Sequence, residues 1–190
     1  MSEFPKLIGI TGKKQHGKDT LGQFFVNNYD FERLAFADAL KEACRHIFGF
    51  TEEQLYGNKK EDIDEFWGVS PRTVYQYVGT DLFREQMYKI IPKTGKNIWV
   101  DVIKKQILDK WKKNPNICFV ITDVRFDNEV DMIRKMGGIM IKVVRSIENS
   151  DDNHPSESNV DSLSVDHIVL NNGSKTTMYN NIISYLNRFT

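Results

Sequence analysis

The stretch Gly12-Lys13-Lys14-Gln15-His16-Gly17-Lys18-Asp19-Thr20 sets two glycines five positions apart and follows the second with a lysine. That spacing belongs to loops that wrap phosphate groups. Gly12 and Gly17 let the backbone turn its N–H groups inward, and Lys18 can reach the β- and γ-phosphates as a point charge. A helix starting near Lys18 aims the positive end of its dipole at the anion. The hydroxyl residue that usually follows the lysine is replaced by Asp19, with Thr20 one place later. Two assignments stay open: Thr20 takes the phosphate and metal role, or Asp19 approaches Mg²⁺ directly or through water, since a hard cation accepts carboxylate oxygen. The preceding run Leu7-Ile8-Gly9-Ile10-Thr11 reads as a buried strand. Strand, loop and helix together predict binding of a nucleoside triphosphate. His16 occupies a variable loop position and is expected to make a side contact rather than act as a catalyst.

Asp123 is the second landmark, directly after the apolar run Cys118-Phe119-Val120-Ile121-Thr122. A carboxylate at the tip of a buried strand is placed to hold Mg²⁺ or its water shell, and the phosphate loop favours that role over a plain turn former. Arg125, two residues on, either faces the bound phosphates or pairs with Asp127 or Glu129. Fixed guanidinium groups suit phosphoryl transfer because the moving group spreads charge over its oxygens.

Strand-like and helix-like patterns alternate along the chain. Helices are expected over roughly 18–27 and from an N-cap at Asp38, where Leu40, Ala43, Cys44, Ile47 and Phe48 share a face up to Gly49. Thr51-Glu52-Glu53-Gln54 has the form of a capping box, and residues 58–65 are charged enough to be solvated. Ser70-Pro71 opens another helix that carries Val74, Val78, Leu82, Phe83 and Met87, interrupted at Gly79. Trp99, Val102, Ile103 and Gln106 mark the next helix, ended by Asn114-Pro115-Asn116. Strands are expected at 31–35, 117–122, 139–144 and 167–170, and helices at 128–136 and around Met178 to Phe189. Residues 149–164 read as one long polar loop. Phe24, Phe25, Phe48 and Trp111 are expected in the core; Trp67, Tyr75 and Tyr77 either pack there or stack on a base. This alternation predicts a mostly parallel sheet covered on both faces, with ligands at the C-terminal ends of the strands. The rule gathers the phosphate loop, residues 37–41, Asp123 to Arg125 and Arg145 onward into one crevice. No repeat or linker divides the chain, so a single domain over 1–190 is expected.

Composition narrows the class. The 190 residues are 40 % apolar and 12 % aromatic, enough for a real core, and 26 basic residues balance 26 acidic ones. A polyanion-binding protein would normally show basic excess, which disfavours nucleic acid as a standing partner. Cys44 and Cys118 stand far apart, so neither a disulfide framework nor a zinc site is indicated. No run approaches the roughly 18 apolar residues of a membrane span and no signal stretch opens the chain. The expectation is a soluble cytoplasmic protein with no membrane partner, monomer and homodimer both remaining open.

Beyond these local readings, the chain resembles the deoxynucleoside monophosphate kinases of bacteriophages and larger viruses. The resemblance rests on Gly17-Lys18-Asp19-Thr20, on residues 36–42, and on Ser70-Pro71-Arg72 with Gln76, Gly79-Thr80-Asp81 and Arg84. It continues through Trp99, Asp123 to Glu129, the His154, Ser156 and Glu157 cluster, and Asp166 to Asn172. It implies a three-layer P-loop kinase fold like adenylate kinase, with five parallel strands, an acceptor region over about 37–100 and a short lid over about 145–165. The implied reaction passes the γ-phosphoryl of ATP, with Mg²⁺, to a deoxynucleoside monophosphate. Lys18 and Thr20 would hold the donor phosphates, with Asn171 to Gly173 near the donor base. Asp38, Lys41, Arg72, Gln76 and Arg84 would surround the acceptor beside Asp123 and Arg125, and Arg145 would act from the lid. A viral source would place the protein in the host cytoplasm. Rival readings are a kinase of another phosphorylated small molecule such as phosphomevalonate, a non-catalytic nucleotide binder, and a GTPase switch, for which no Asn-Lys-x-Asp motif is present.

Overall fold

The computed structural model describes residues 4–146 and 155–189, with the side chains of 155–158 and 189 left aside. His154, the first part of the polar loop and the side chains of Ser156 and Glu157 lie outside the described residues. Two compact units emerge, one formed by residues 1–35 with 104–190 and the other by 36–103.

The first unit is built on five parallel strands: β1 (Leu7–Thr11), β2 (Phe31–Leu34), β3 (Cys118–Ile121), β4 (Ile139–Val144) and β5 (His167–Leu170). Their spatial order is β2-β3-β1-β4-β5, so β1 lies at the centre. Registry runs Ile8 against Val120 on one side and Ile8 against Ile139 on the other. Every residue of β1 and β3 is buried, the near-continuous apolar run expected of a strand covered on both faces. Helix α1 (Lys18–Tyr29) and helix α8 (Lys175–Leu186) cover one face. Leu21, Phe25, Met178, Ile182 and Leu186 pack there on Ile8, Ile10, Val120, Ile141 and Val169. On the opposite face lie α6 (Asp127–Lys135) and the second half of α5 (Ile98–Lys113); the Trp111 ring tilts against Phe119 at 6.0 Å, and its indole N–H donates to the Ile117 carbonyl at 2.8 Å. The predicted three-layer α/β fold with five parallel strands is what forms.

Several expectations change in detail. Phe24 and Trp111 are only partly buried, whereas Phe25 is fully so; Phe24 instead stacks on Tyr179 at 4.1 Å. The stretch expected as one polar loop contains α7 (Pro155–Ser162). Val160 and Leu163, 1 % and 5 % exposed, anchor it, a signal too sparse to stand out among its Ser, Asp and Asn neighbours. Phe189 lies beyond α8, in a terminal 3₁₀ turn.

The second unit is helical: α2 (Phe36–Phe48), α3 (Glu52–Leu55), α4 (Pro71–Tyr77) and the start of α5. Helix α2 starts at Phe36, so Asp38 lies in its first turn rather than at its N-cap. The Thr51–Gln54 capping box is present, and Ser70 Oγ accepts from the Thr73 N–H at 3.2 Å with Pro71 at the first helical position. The expected single helix through Met87 does not form. Helix α4 ends at Tyr77 and residues 78–84 continue as a π-helix, the wide-turn geometry that often marks functional segments. The Trp99 indole N–H donates to the Gly79 carbonyl at 2.9 Å and braces that turn. Tyr75 is buried, while Tyr77 stays 64 % exposed. Cys44 and Cys118 are both buried and neither is in a disulfide, and burial pushes the Cys44 thiol up to about 11.

Candidate active site

In the order β2-β3-β1-β4-β5 the chain leaves β1 toward one edge and later returns to fill the other. The C-terminal end of β1 is therefore the switch point, where open α/β sheets leave a crevice for ligands. The phosphate loop occupies that point. Gly12 has φ 145°, and a Cβ there would stand 2.4 Å from the Val143 carbonyl oxygen. Gly17 has φ 104°, and its Cβ would meet Asn171 Nδ2 at 2.4 Å. Backbone strain and close packing thus both require glycine at these two positions. Gln15 takes the left-handed conformation as well, at φ 64°, a cost of the tight turn.

Below the loop, α1 begins at Lys18, with Asp19 exposed in its first turn and Thr20 half-buried. Lys18 Nζ donates to the Lys13 carbonyl at 2.8 Å, so the side chain bends back over its own loop. Asp19 and Thr20 also line a groove of about 500 Å³ between α1 and α8, shared with Gln23, Phe24 and Lys175.

Three further loops flank this point. After β3, the Val124 N–H donates to the Ile10 carbonyl at 3.2 Å, which seats half-buried Asp123 beside the end of β1. Buried Glu129 accepts the backbone N–H groups of Arg125 and Phe126, at 2.7 and 3.2 Å. Glu129 thus engages the main chain of Arg125. After β4, exposed Arg145 gives its backbone N–H to His16 Nδ1 at 3.2 Å. Following β5, Asn171 Nδ2 donates to the His16 carbonyl at 2.9 Å, while Gly173 is exposed one residue before Ser174 caps α8. His16 is only 8 % exposed. Burial comes first among the causes that hold its imidazole below the ordinary value, with Lys18 and Lys13 adding to it; the Val143 carbonyl and Asp161 oppose them.

Two contacts were not legible in the sequence. Lys13 pairs with Asp161 of α7 at 2.8 Å, and Lys142 on β4 reaches the same carboxylate at 3.1 Å. Lys13 and Asp161 are 148 positions apart and Lys142 and Asp161 are 19 apart, and no local pattern joins either pair.

Among the described residues no group of three or more His, Cys, Asp and Glu side chains could cage a metal. The donors near the loop are single: Asp19, Thr20 and Asp123. Thr11 Oγ1 and Thr122 Oγ1, one residue before the loop and before Asp123, are buried without a hydrogen-bond partner. That set fits a hydrated hard cation that takes most of its ligands from phosphate and water.

In the second unit, Asp38 and Lys41 stand on α2, Arg72 and Gln76 one turn apart on α4, and Arg84 at the end of the π-helix. Lys41 Nζ lies 4.3 Å from the Tyr56 ring centre. Arg72 forms an ion pair with Glu61, a partner that the sequence reading did not single out.

Comparison with known proteins bears on this arrangement. The family model for deoxynucleotide monophosphate kinase matches residues 45–182. A protein of Acanthamoeba polyphaga mimivirus named "Putative deoxynucleotide monophosphate kinase" is 42 % identical over 182 residues, covering 94 % of each chain. The deoxynucleotide monophosphate kinase of Enterobacteria phage T4 is 24 % identical, covering 93 % of this chain and 97 % of its own. A solved structure from Thermus thermophilus superposes with a TM-score of 0.51 at 15 % identity, covering 98 % of this chain and 99 % of that one, which shows a shared fold. With the matched model spanning well over half its length, this chain belongs to the deoxynucleotide monophosphate kinase family.

Proposed function

We propose that this protein transfers the γ-phosphoryl group of Mg²⁺–ATP to a deoxynucleoside monophosphate, giving the deoxynucleoside diphosphate and ADP. The observation that carries the reading is a glycine-shaped phosphate loop at the switch point of a parallel sheet, in a chain of this family. The bond between the γ-phosphorus and the β,γ-bridging oxygen breaks, and one forms to an oxygen of the acceptor phosphate. A monophosphate with a second pKa near 6 is already anionic at neutral pH, so no general base is needed. Catalysis then rests on alignment and charge neutralisation.

In this reading, the backbone N–H groups from Gly12 to Lys18 cradle the donor phosphates, and Lys18 swings from the Lys13 carbonyl onto them. Thr20, Asp19 and Asp123 are the residues that would hold Mg²⁺, which would supply positive charge to neutralise the donor phosphates. Arg125 and Arg145 supply guanidinium charge to the moving phosphoryl group, and Asn171 with Gly173 borders the donor base. Asp38, Lys41, Arg72, Gln76 and Arg84 receive the acceptor, within an acceptor region over about 37–100. Among the described residues no helix is long and apolar enough to cross a membrane. The proposal is a free nucleotide kinase of viral type acting in the host cytoplasm, as a monomer or homodimer, with small nucleotides rather than nucleic acid as its partners.

Radiolabel transfer tests it: [γ-³²P]ATP and a deoxynucleoside monophosphate should yield labelled diphosphate on chromatography. Labelled inorganic phosphate alone, or preferential labelling of phosphomevalonate, would refute the proposal.

A further inference from the structure

His16 sits between exposed Gln15 and half-buried Gly17, yet it is itself buried. Its polar groups are taken by two other loops. Nδ1 accepts the Arg145 N–H at 3.2 Å, and its carbonyl accepts Asn171 Nδ2 at 2.9 Å. Those loops are joined in turn, since the Asn171 N–H donates to the Val144 carbonyl at 2.8 Å and the Ser146 N–H to Asn172 Oδ1 at 2.7 Å. His16 is therefore the point at which the phosphate loop, the segment after β4 and the segment after β5 are fastened together.

We infer that His16 is a positioning residue: its neutral ring holds the backbone of Arg145 in place over the phosphate loop, so that protonation or loss of Nδ1 as an acceptor releases the arginine. The inference rests on the kinase reading for the role of Arg145, and on the contacts alone for the coupling. An N–H donor requires an unprotonated Nδ1, which puts the ring proton on Nε2. The surroundings favour that state. Burial disfavours the charged ring, and Lys18 and Lys13 from the helix and its loop face it with like charge, while the Val143 carbonyl of β4 and Asp161 of α7 oppose them. A protonated ring would set one N–H against another and add a positive charge beside two lysines.

Asparagine is the discriminating replacement, because its Oδ1 branches from Cγ as Nδ1 does, accepts a hydrogen bond and cannot titrate. We expect H16L to lower kcat about tenfold, with the KM for the monophosphate acceptor unchanged, and H16N to recover most of that loss. The backbone amide resonance of Arg145 should titrate in the parent protein with a midpoint below 6.5 and stay flat in H16N. H16L within twofold of the parent, H16N as impaired as H16L, or a pH-independent Arg145 amide in the parent would each overturn the inference. Should H16L fail to fold, H16N and the parent titration still decide. A parent protein inactive on every nucleotide would instead count against the kinase reading, and the amide titration would still test the His16 contact.

Discussion

Lys13, inside the phosphate loop, is paired at 2.8 Å with Asp161 on α7, whose carboxylate also takes Lys142 of β4 at 3.1 Å. One acidic side chain thus neutralises a loop cation that could otherwise turn toward a triphosphate. The Lys13 hydrogen bond, and after it Lys142, holds the Asp161 carboxyl below the usual carboxylate range against the opposing effect of burial.

Asp161→Asn is expected to lower the KM for ATP two- to threefold, because Lys13 becomes available to the phosphates. Both partners are well exposed, so the effect on stability should stay below about 1 kcal/mol and shrink at high salt. The sign with pH follows from the depressed carboxyl. Its contribution is present above the unfolded value of 3.8 and is lost as pH falls through the lower folded value. Acid denaturation curves should therefore show a contribution in the parent that is missing in the variant.

Lys18→Ala should leave the fold intact, since Lys18 is not one of the residues that form the buried core. Removing a cation aimed at the transferring group costs roughly 3 kcal/mol, by analogy with one oxyanion donor, or on the order of a hundredfold in kcat. Circular dichroism and turnover measured together check both halves. Turnover within a few-fold of the parent would contradict the role given to this lysine.

Gly12→Ala combines a left-handed backbone with a Cβ placed 2.4 Å from the Val143 carbonyl oxygen. The strained conformation alone costs on the order of 1–3 kcal/mol, and the carbonyl cannot move without disturbing β4. A fall of several degrees in melting temperature and loss of ATP binding by calorimetry are expected.

Much of this architecture is readable from residue order alone, because it depends on local signals. The strand before the loop, the Thr51–Gln54 box, the Ser70 cap and β4 are each specified by residues a few positions apart. Helix α7 was not legible, because Val160 and Leu163 become core positions only through tertiary packing. The π-helix at 78–84 was foreshadowed by Gly79 but not specified, since a π-turn keeps the same apolar spacing to within one residue. In the site, residue types announced the loop and Asp123. The fastening of His16 to Arg145 and Asn171 depends on three strand ends meeting, which periodicity within a segment does not encode.

Arg72 and Glu61 make the corresponding test in the second unit. Their ion pair leaves Glu61 as a competitor for an acceptor phosphate. Glu61→Gln should lower the acceptor KM two- to fivefold, whereas Arg72→Ala should raise it at least tenfold, both with the ATP KM unchanged. Steady-state kinetics with the two substrates varied separately would show the split, and an Arg72→Ala enzyme with an unaltered acceptor KM would remove Arg72 from the site.

The most direct measurement is coupled ADP release with ATP and each common ribo- and deoxynucleoside monophosphate, run with and without magnesium. Sustained ADP release with at least one deoxynucleoside monophosphate, abolished by omitting magnesium, is the result expected. ADP release that is indifferent to every monophosphate, or that persists without the metal, would contradict the account.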